Sequence, residues 1–219
     1  LLLFPMYLYI SRRDYLASQH TVALFFSLIV LFPAITYIMV SQNLFSVYML
    51  PFAMVPLFVR IFFDSRTAAM AMLTSLLLCT LVLRDPFNFL IVELMMGLAA
   101  TYSLRELTER SQIFRIAALV TIVGLLMQLA YDMSQLAATT QNTDAASATA
   151  LLYSTLDRSR YMYILISGVS LLFACPFMYL VERVFGFTSS VTLVELSNIN
   201  NTLMRNLSKV AQGTFNHSM

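Results

Sequence analysis

The 219-residue chain is 59% hydrophobic and only 11% charged, and its mean hydropathy is +0.78. This composition leaves too little polar surface for a soluble globule of this size, which excludes ordinary soluble enzymes and binding domains. The formal net charge of +2 is too small to indicate a nucleic-acid partner. The composition therefore predicts an integral membrane domain.

Seven apolar runs follow one another along the chain. Residues 1–10 lack the basic start and the cleavage site of a signal peptide, and we interpret them as the end of a truncated hydrophobic segment. Six later runs approach the roughly 20 residues that a helix needs to cross a bilayer. These runs are residues 21–40, 46–63, 68–83, 87–104, 113–131 and 160–181. We expect an all-α membrane protein, a seven-helix transmembrane bundle over residues 1–182 with its first helix truncated.

The basic residues predict the orientation of this bundle. Short connections at residues 41–45, 64–67 and 84–86 make consecutive helices antiparallel neighbours. Residues 134–159 have the composition of a mobile outer loop, with a short surface helix over residues 145–156 as the alternative. If residues 11–19 are cytoplasmic, ten Lys and Arg lie inside and three lie outside. Such an asymmetry follows the positive-inside rule. It predicts that the beginning of the chain lies outside and its last stretch in the cytoplasm.

Three polar residues within the apolar runs are candidates for an intramembrane or outer polar site. Glu93 lies inside its segment, where a carboxylate costs roughly 2.5 to 3.5 kcal/mol on insertion scales. Glu93 is either a ligand or proton site, or a carboxyl group hydrogen-bonded to a Ser, Thr or Tyr of a neighbouring helix. Gln128 and Asp132, four residues apart near the outer end of their segment, form either a sensing pocket or an interfacial polar stripe.

Other residues of the bundle suggest local structure. Arg60 and Asp64 have the i, i+4 spacing of a helical ion pair at the inner surface. Four prolines lie inside or at the edge of the apolar runs, where each removes a backbone donor and favours a kink. Such kinks serve as signalling hinges or occur in passive bundles. The four are Pro33, Pro51, Pro56 and Pro176.

The last residues of the chain leave the apolar pattern. Apolar residues recur at steps of three and four within residues 183–212, which predicts a cytoplasmic amphipathic helical connector. Gly213 ends this helix, and residues 213–219 begin another with His217 in its first turn. A single His cannot hold a metal ion without further converging ligands. Together with the truncated first segment at residues 1–10, this leads us to expect that the sequence is a fragment at both ends.

The residues of this junction carry a resemblance to a known family. The motifs are Glu182-Arg183-Val184-Phe185-Gly186-Phe187-Thr188, Glu195-Leu196-Ser197, and Gly213-Thr214-Phe215 before His217-Ser218. They resemble the junction of the seven-transmembrane HD-domain proteins, the PgpH-type cyclic di-AMP phosphodiesterases. The resemblance implies a cytoplasmic HD hydrolase domain that begins at residue 213. It also implies that His217 is the first ligand of a site for two divalent metal ions, iron or manganese, with the other ligands beyond Met219.

The resulting hypothesis is a transmembrane sensor and anchor module of a metal-dependent phosphodiesterase. Its partners would be the lipid bilayer, an unknown extracytoplasmic signal and cyclic di-AMP bound by the missing HD domain, with no nucleic acid; homo-oligomer formation is left open. The expected location is the inner membrane of a bacterium, and the 219-residue chain alone is expected to be inactive. Alternatives are a transporter or channel subunit with Glu93 and Asp132 along its pathway, or a passive membrane anchor.

Overall fold

A computed structural model describes residues 2–104, 112–139 and 158–186. Within these three ranges every regular element is helical and no strand occurs, which confirms the all-α class. The α-helices of these ranges are α1 (Leu3–Ser11), α2 (Arg13–Leu16), α3 (Gln19–Gln42), α4 (Met54–Phe62), α5 (Ser65–Thr80), α6 (Pro86–Ser103), α7 (Gln112–Thr139), α8 (Arg158–Ser170) and α9 (Ala174–Phe185). Short 3-10 helices at Val47–Met49 and Leu171–Phe173 precede α4 and α9.

Helix α4 forms the centre of the packed helices. Its residues up to Val59 are apolar, and Val55, Leu57, Phe58 and Val59 are all completely buried. A helix that is apolar all round is buried on every side, and α4 packs against both α5 and α6. Inside a bilayer such packing is held by van der Waals contacts, because lipid tails are as apolar as the side chains.

Helices α3 and α7 instead expose broad apolar surfaces. Phe26, Val30 and Tyr37 of α3 and Ile122 and Leu126 of α7 are each at least 41% exposed. A monomer in water rarely exposes so much apolar surface. These helices are also long, with 24 residues in α3 and 28 in α7. Both features fit contact with lipid.

The number of membrane spans is only partly confirmed. Within the described ranges, α3 and α7 are long and apolar enough to cross a membrane. Helices α8 and α9, which bend by 49° relative to each other, would supply a third crossing if they form one span. Helices α4 and α5 have 9 and 16 residues, fewer than the roughly 20 of a straight crossing. The seven-span bundle therefore stays a prediction, although helices lie where the apolar runs lie.

Two of the predicted spans are interrupted near prolines. Pro51 lies in a non-helical break between the 3-10 helix Val47–Met49 and α4. Pro176 is the third residue of α9, directly after the bend at the 3-10 helix Leu171–Phe173. Pro33 lies inside α3. The two breaks are connected, since Ser167 Oγ of α8 donates a hydrogen bond of 3.3 Å to the backbone oxygen of Leu50. The Leu50 oxygen, which also accepts from the backbone N–H of Phe52 at 2.8 Å, thus links the break before α4 to α8.

The turns fall into two groups at opposite ends of the helices. Arg12, between α1 and α2, lies 3.4 Å from Asp64 in the α4–α5 turn, and we call this the inner end. Arg160, in the first turn of α8, lies 3.9 Å from Asp85 in the α5–α6 turn, and we call this the outer end. The grouping agrees with the sides assigned from the basic residues. Which end faces the cytoplasm stays a prediction.

Candidate functional site

Glu93 lies on the buried face of α6 and is only 1% exposed. Neither of its carboxylate oxygens has a hydrogen-bond partner among the described residues. The hydrogen bond to a neighbouring Ser, Thr or Tyr, which the sequence allowed, is therefore not formed within those residues.

Other buried polar groups of α5 and α6 are also unpaired among the described residues. Ser75 Oγ and both amide atoms of Asn88 are buried and, like Glu93, have no partner among the described residues. The two helices pack closely where Gly97 approaches the side chain of Met72, which places Ser75 and Glu93 at neighbouring levels of the antiparallel pair. This contact therefore contains polar atoms whose hydrogen bonds are not made by the described residues.

Gln128 and Asp132 form a hydrogen-bonded network between α7 and α8, in which Gln128 Oε1 is buried and has no partner among the described residues. Gln128 Nε2 donates to Asp132 Oδ1 at 2.9 Å, and the hydroxyl of Tyr161 donates to Asp132 Oδ2 at 2.6 Å. Gln128 is completely buried and Asp132 is 5% exposed. Both side chains are therefore covered by the packed helices, and the alternatives of a sensing pocket and an interfacial stripe stay predictions. The structure brings Gln128 and Asp132 together with Tyr161, a residue that the sequence did not indicate.

A cleft at the outer end is a site that sequence reasoning missed. It has a volume of about 530 Å³ and lies between the end of α3, the 3-10 helix Val47–Met49, the α5–α6 turn and the start of α8. We call it the outer cleft. Its polar lining consists of Asn43, Ser46, Tyr48, Arg84, Asp85, Arg160 and Tyr163. The only signal in the sequence was the presence of Arg84 and Arg160 on the side that is otherwise poor in basic residues.

The charged groups of the outer cleft are partly paired. Besides its contact with Asp85, the guanidinium carbon of Arg160 lies 5.9 Å from the centre of the Tyr48 ring. Arg84 is exposed and has no ion pair or hydrogen bond with any described residue. Neither Glu93 nor Asp132 lines this cleft. The candidate residues of the sequence and the outer cleft are therefore separate features.

A second cavity, of about 430 Å³, has an almost entirely apolar lining. It lies where the break before α4 meets the bend before α9, beside α3, and we call it the bend groove. The residues that line it from the two interruptions include Leu50, Pro51, Phe173 and Pro176. The bend groove therefore leaves free space beside both interruptions.

Asp64 at the inner end is tied to several elements. Its carboxylate accepts hydrogen bonds from Thr67 at 2.7 Å, Tyr15 at 3.3 Å and Arg12 at 3.4 Å. Burial raises the pKa of Asp64, but these hydrogen bonds and the Arg12 charge outweigh burial and hold it below its ordinary value. The predicted Arg60–Asp64 pair is wrong, because the Asp64 carboxylate contacts Arg12 and Tyr15 instead. The buried Nε of Arg60 has no partner among the described residues.

The metal site predicted at His217 lies outside the described residues, as do the connector 183–212 beyond residue 186 and the segment 213–219. Within the described ranges, no three His, Cys, Asp or Glu side chains come together in a way that could hold a metal ion. These residues therefore do not fit a two-metal centre, and no catalytic step follows from their geometry.

Comparison with known proteins gives one family and one relative. Residues 1–189 match the model of a family described as a 7TM receptor with intracellular HD hydrolase. The chain is 25% identical over 206 residues to the cyclic-di-AMP phosphodiesterase PgpH of Listeria monocytogenes serotype 1/2a (strain 10403S). The match covers 93% of this chain and 26% of the relative, so the chain spans about a quarter of the relative's length. No solved structure matches the chain.

Proposed function

This chain belongs to the family of 7TM receptors with an intracellular HD hydrolase, and we propose that it is the membrane sensor and anchor module of a phosphodiesterase. The substrate we propose is cyclic di-AMP, which the name of the Listeria relative supports. The module would lie in the inner membrane of a bacterium, with the outer cleft facing away from the cytoplasm.

One structural observation carries the sensing part of the proposal. Helix α8 begins in the outer cleft with Arg160 and Tyr163, and the same stretch of chain continues through the bend into α9. Helix α9 then packs against the central helix, with the rings of Phe58 and Phe177 5.1 Å apart. A shift of α8 at the cleft would therefore reach the end of α9 at Gly186 through a single segment.

The hydrolytic part of the proposal depends on residues outside the described ranges. Residues 1–182 would form the membrane domain, 183–212 the connector, and 213–219 the start of the HD hydrolase domain. His217 would then be a metal ligand in the complete protein. Its substitution His217→Ala should greatly lower the bound metal, and an unchanged metal content would contradict this assignment. The 219-residue chain alone should not turn over cyclic di-AMP.

A domain replacement separates a sensor from a passive anchor. In the complete protein, an unrelated membrane anchor replaces residues 1–182, and hydrolysis of cyclic di-AMP is measured in membranes. A sensor module should change the rate when it is removed, because the state of the bundle sets the activity of the attached domain. An equal rate, equally regulated, would show that the bundle only anchors.

A flux assay separates the sensor from a transporter or channel. The purified chain is reconstituted into liposomes, and uptake of ions and small solutes is followed. We expect no flux above that of empty liposomes, because both oxygens of Asp132 are hydrogen-bonded and Glu93 lines neither the outer cleft nor the bend groove. Solute uptake that is lost in Glu93→Gln would favour the transporter hypothesis.

A further inference from the structure

The outer cleft has the size and position of a binding site for a small molecule. Its volume of about 530 Å³ lies within the roughly 300 to 1,000 Å³ that such sites occupy. It is formed by three stretches that are distant in sequence, residues 39–48, 83–89 and 160–163, at one end of the helices. A ligand bound there would contact α3, the 3-10 helix Val47–Met49, the α5–α6 turn and α8 at the same time.

The charge of the lining favours an anion. Two guanidinium groups, Arg84 and Arg160, and one carboxylate, Asp85, line the cleft, which leaves one positive charge in excess. Asp85 is 3.9 Å from Arg160, whereas Arg84 has no partner among the described residues. A planar guanidinium group binds a carboxylate or phosphate through two parallel hydrogen bonds, which gives both affinity and orientation.

The remainder of the lining favours a compact apolar body on that anion. The rings of Tyr48 and Phe89 meet with their centroids 5.7 Å apart in an edge-to-face arrangement, and both contribute to the cleft wall. Aliphatic side chains complete the wall, with Met39, Val40, Leu44, Val47 and Leu83 among them. A hydrophilic ion alone would leave these surfaces uncovered.

We propose that the outer cleft binds a small organic anion, with one carboxylate or phosphate group on a compact apolar or aromatic body. Arg84 would hold the anionic group, and Arg160 would orient it while it stays in contact with Asp85 and Tyr48. The anion would be either a free solute or the headgroup of an anionic lipid. The role of the bound anion as the signal of the module rests on the proposed function. The binding itself does not rest on it.

Binding is measured with the chain in phosphatidylcholine nanodiscs by fluorine NMR. The probe is 4-fluorobenzoate, and 4-fluorobenzylamine and 4-fluorobenzyl alcohol are its cationic and neutral counterparts. We expect the benzoate to bind with a Kd at least tenfold lower than either counterpart. Equal binding of the amine would overturn the proposal.

Variants assign the binding to the cleft. Arg84→Gln should raise the Kd of the benzoate about tenfold, the size expected for a lost charge-assisted pair, and Arg84→Lys should retain part of the affinity. Arg158→Gln is the matched control, because Arg158 is an exposed arginine of α8 that does not line the cleft. An equal loss in Arg158→Gln would show unspecific attraction and overturn the proposal.

A second arm identifies the source of the anion. Phosphatidylglycerol is added to the nanodiscs, and the benzoate titration is repeated. Competition that disappears in Arg84→Gln supports a lipid headgroup as the ligand, and an unchanged Kd supports a free solute. No hydrolase is needed for any of these titrations, so a failure of the binding proposal can be distinguished from a failure of the proposed function.

Discussion

The α7–α8 contact and the α5–α6 contact each contain a buried carboxylate, but the two differ in how completely that group is paired. Asp132, between α7 and α8, accepts a hydrogen bond at each oxygen. Glu93, on α6, has no partner at either oxygen among the described residues. A buried carboxylate with its partners in place favours one arrangement of its surroundings, whereas one without partners costs free energy and favours none. The pairing in the α7–α8 contact extends to both oxygens of Asp132 but not to Gln128 Oε1.

The glycines of the two contacts also differ in how easily a neighbouring side chain could make room for a Cβ. A Cβ on Gly168 of α8 would lie 2.9 Å from Cβ of Thr121 on α7, an atom that no side-chain rotation can move. A Cβ on Gly97 of α6 would meet the thioether of Met72, a flexible group that adapts to its surroundings. The α7–α8 pair is thus the rigid part of the bundle, and the α5–α6 pair is its adaptable part.

The substitution Asp132→Ala tests the rigid contact most strongly. It leaves the amide of Gln128 and the hydroxyl of Tyr161 buried without an acceptor, so we expect a loss of about 3 kcal/mol in the free energy of unfolding. The measurement is unfolding in mixed micelles. Tyr161→Phe removes one of the two hydrogen bonds and should cost about 1 kcal/mol. If Asp132→Ala cost no more than Tyr161→Phe, the network would not stabilise this contact.

Glycine substitutions should give the next largest change in the free energy of unfolding. Gly168→Ala should destabilise the protein by about 2 kcal/mol, because Thr121 cannot yield and α8 must move away from α7. Gly97→Ala is the matched control and should cost less than about 1 kcal/mol, since Met72 can change its rotamer. Thermal unfolding of the two variants measures the difference. Equal costs at both sites would remove the distinction between a rigid and an adaptable pair.

Glu93→Met should stabilise the protein, whereas the preceding substitutions should destabilise it. Methionine has nearly the shape of glutamate and brings no group that needs a hydrogen bond, so we expect a gain of about 1 kcal/mol in the free energy of unfolding. The same micelle unfolding measures it, with Glu93→Gln as a variant that keeps the polar group. A clear loss of stability in Glu93→Met would show that Glu93 is paired in the membrane.

Asp64 is a third carboxylate, paired like Asp132 but partly exposed, and it should give the smallest effect. Its folded pKa is below the ordinary value near 3.9, so its contribution is complete above that value and is lost as the pH falls through the folded pKa. We expect the stability difference between the wild type and Asp64→Asn to be constant from about pH 7 to pH 5 and to shrink below about pH 4. Unfolding midpoints across this range measure it, and a difference that grows in acid would contradict the pairing.

Much of the helical layout could be predicted from apolar runs, but the interruptions and helix ends could not. The run 113–131 predicts α7, yet the helix continues to Thr139, so residues 134–139 are helical and not part of the expected outer loop. At about 1.5 Å per residue, 28 residues span about 42 Å, more than the hydrocarbon core. The run 46–63 was expected to be one helix, and Pro51 marks where the structure breaks it.

The candidate site was harder to predict, since it depends on tertiary contacts. The apolar surroundings of Glu93 predicted its burial, but its missing partners are a property of the faces that α5 and α6 turn towards it. The outer cleft joins residues 43–48, 83–85 and 160–163, which no local pattern connects. Arg84 and Arg160 were visible only as exceptions to a charge asymmetry.

The end of α9 has a mechanical consequence for how a change in the bundle leaves it. Gly186 adopts a left-handed conformation with φ of 71°, and its backbone N–H closes the last turn on the oxygen of Glu182 at 3.0 Å. Residues with a Cβ rarely adopt this conformation. A helix that stops at such a residue does not transmit torque about its axis as an unbroken rod would. Under the proposed function, what the bundle would pass onward at Gly186 is therefore a displacement and a change of exit direction.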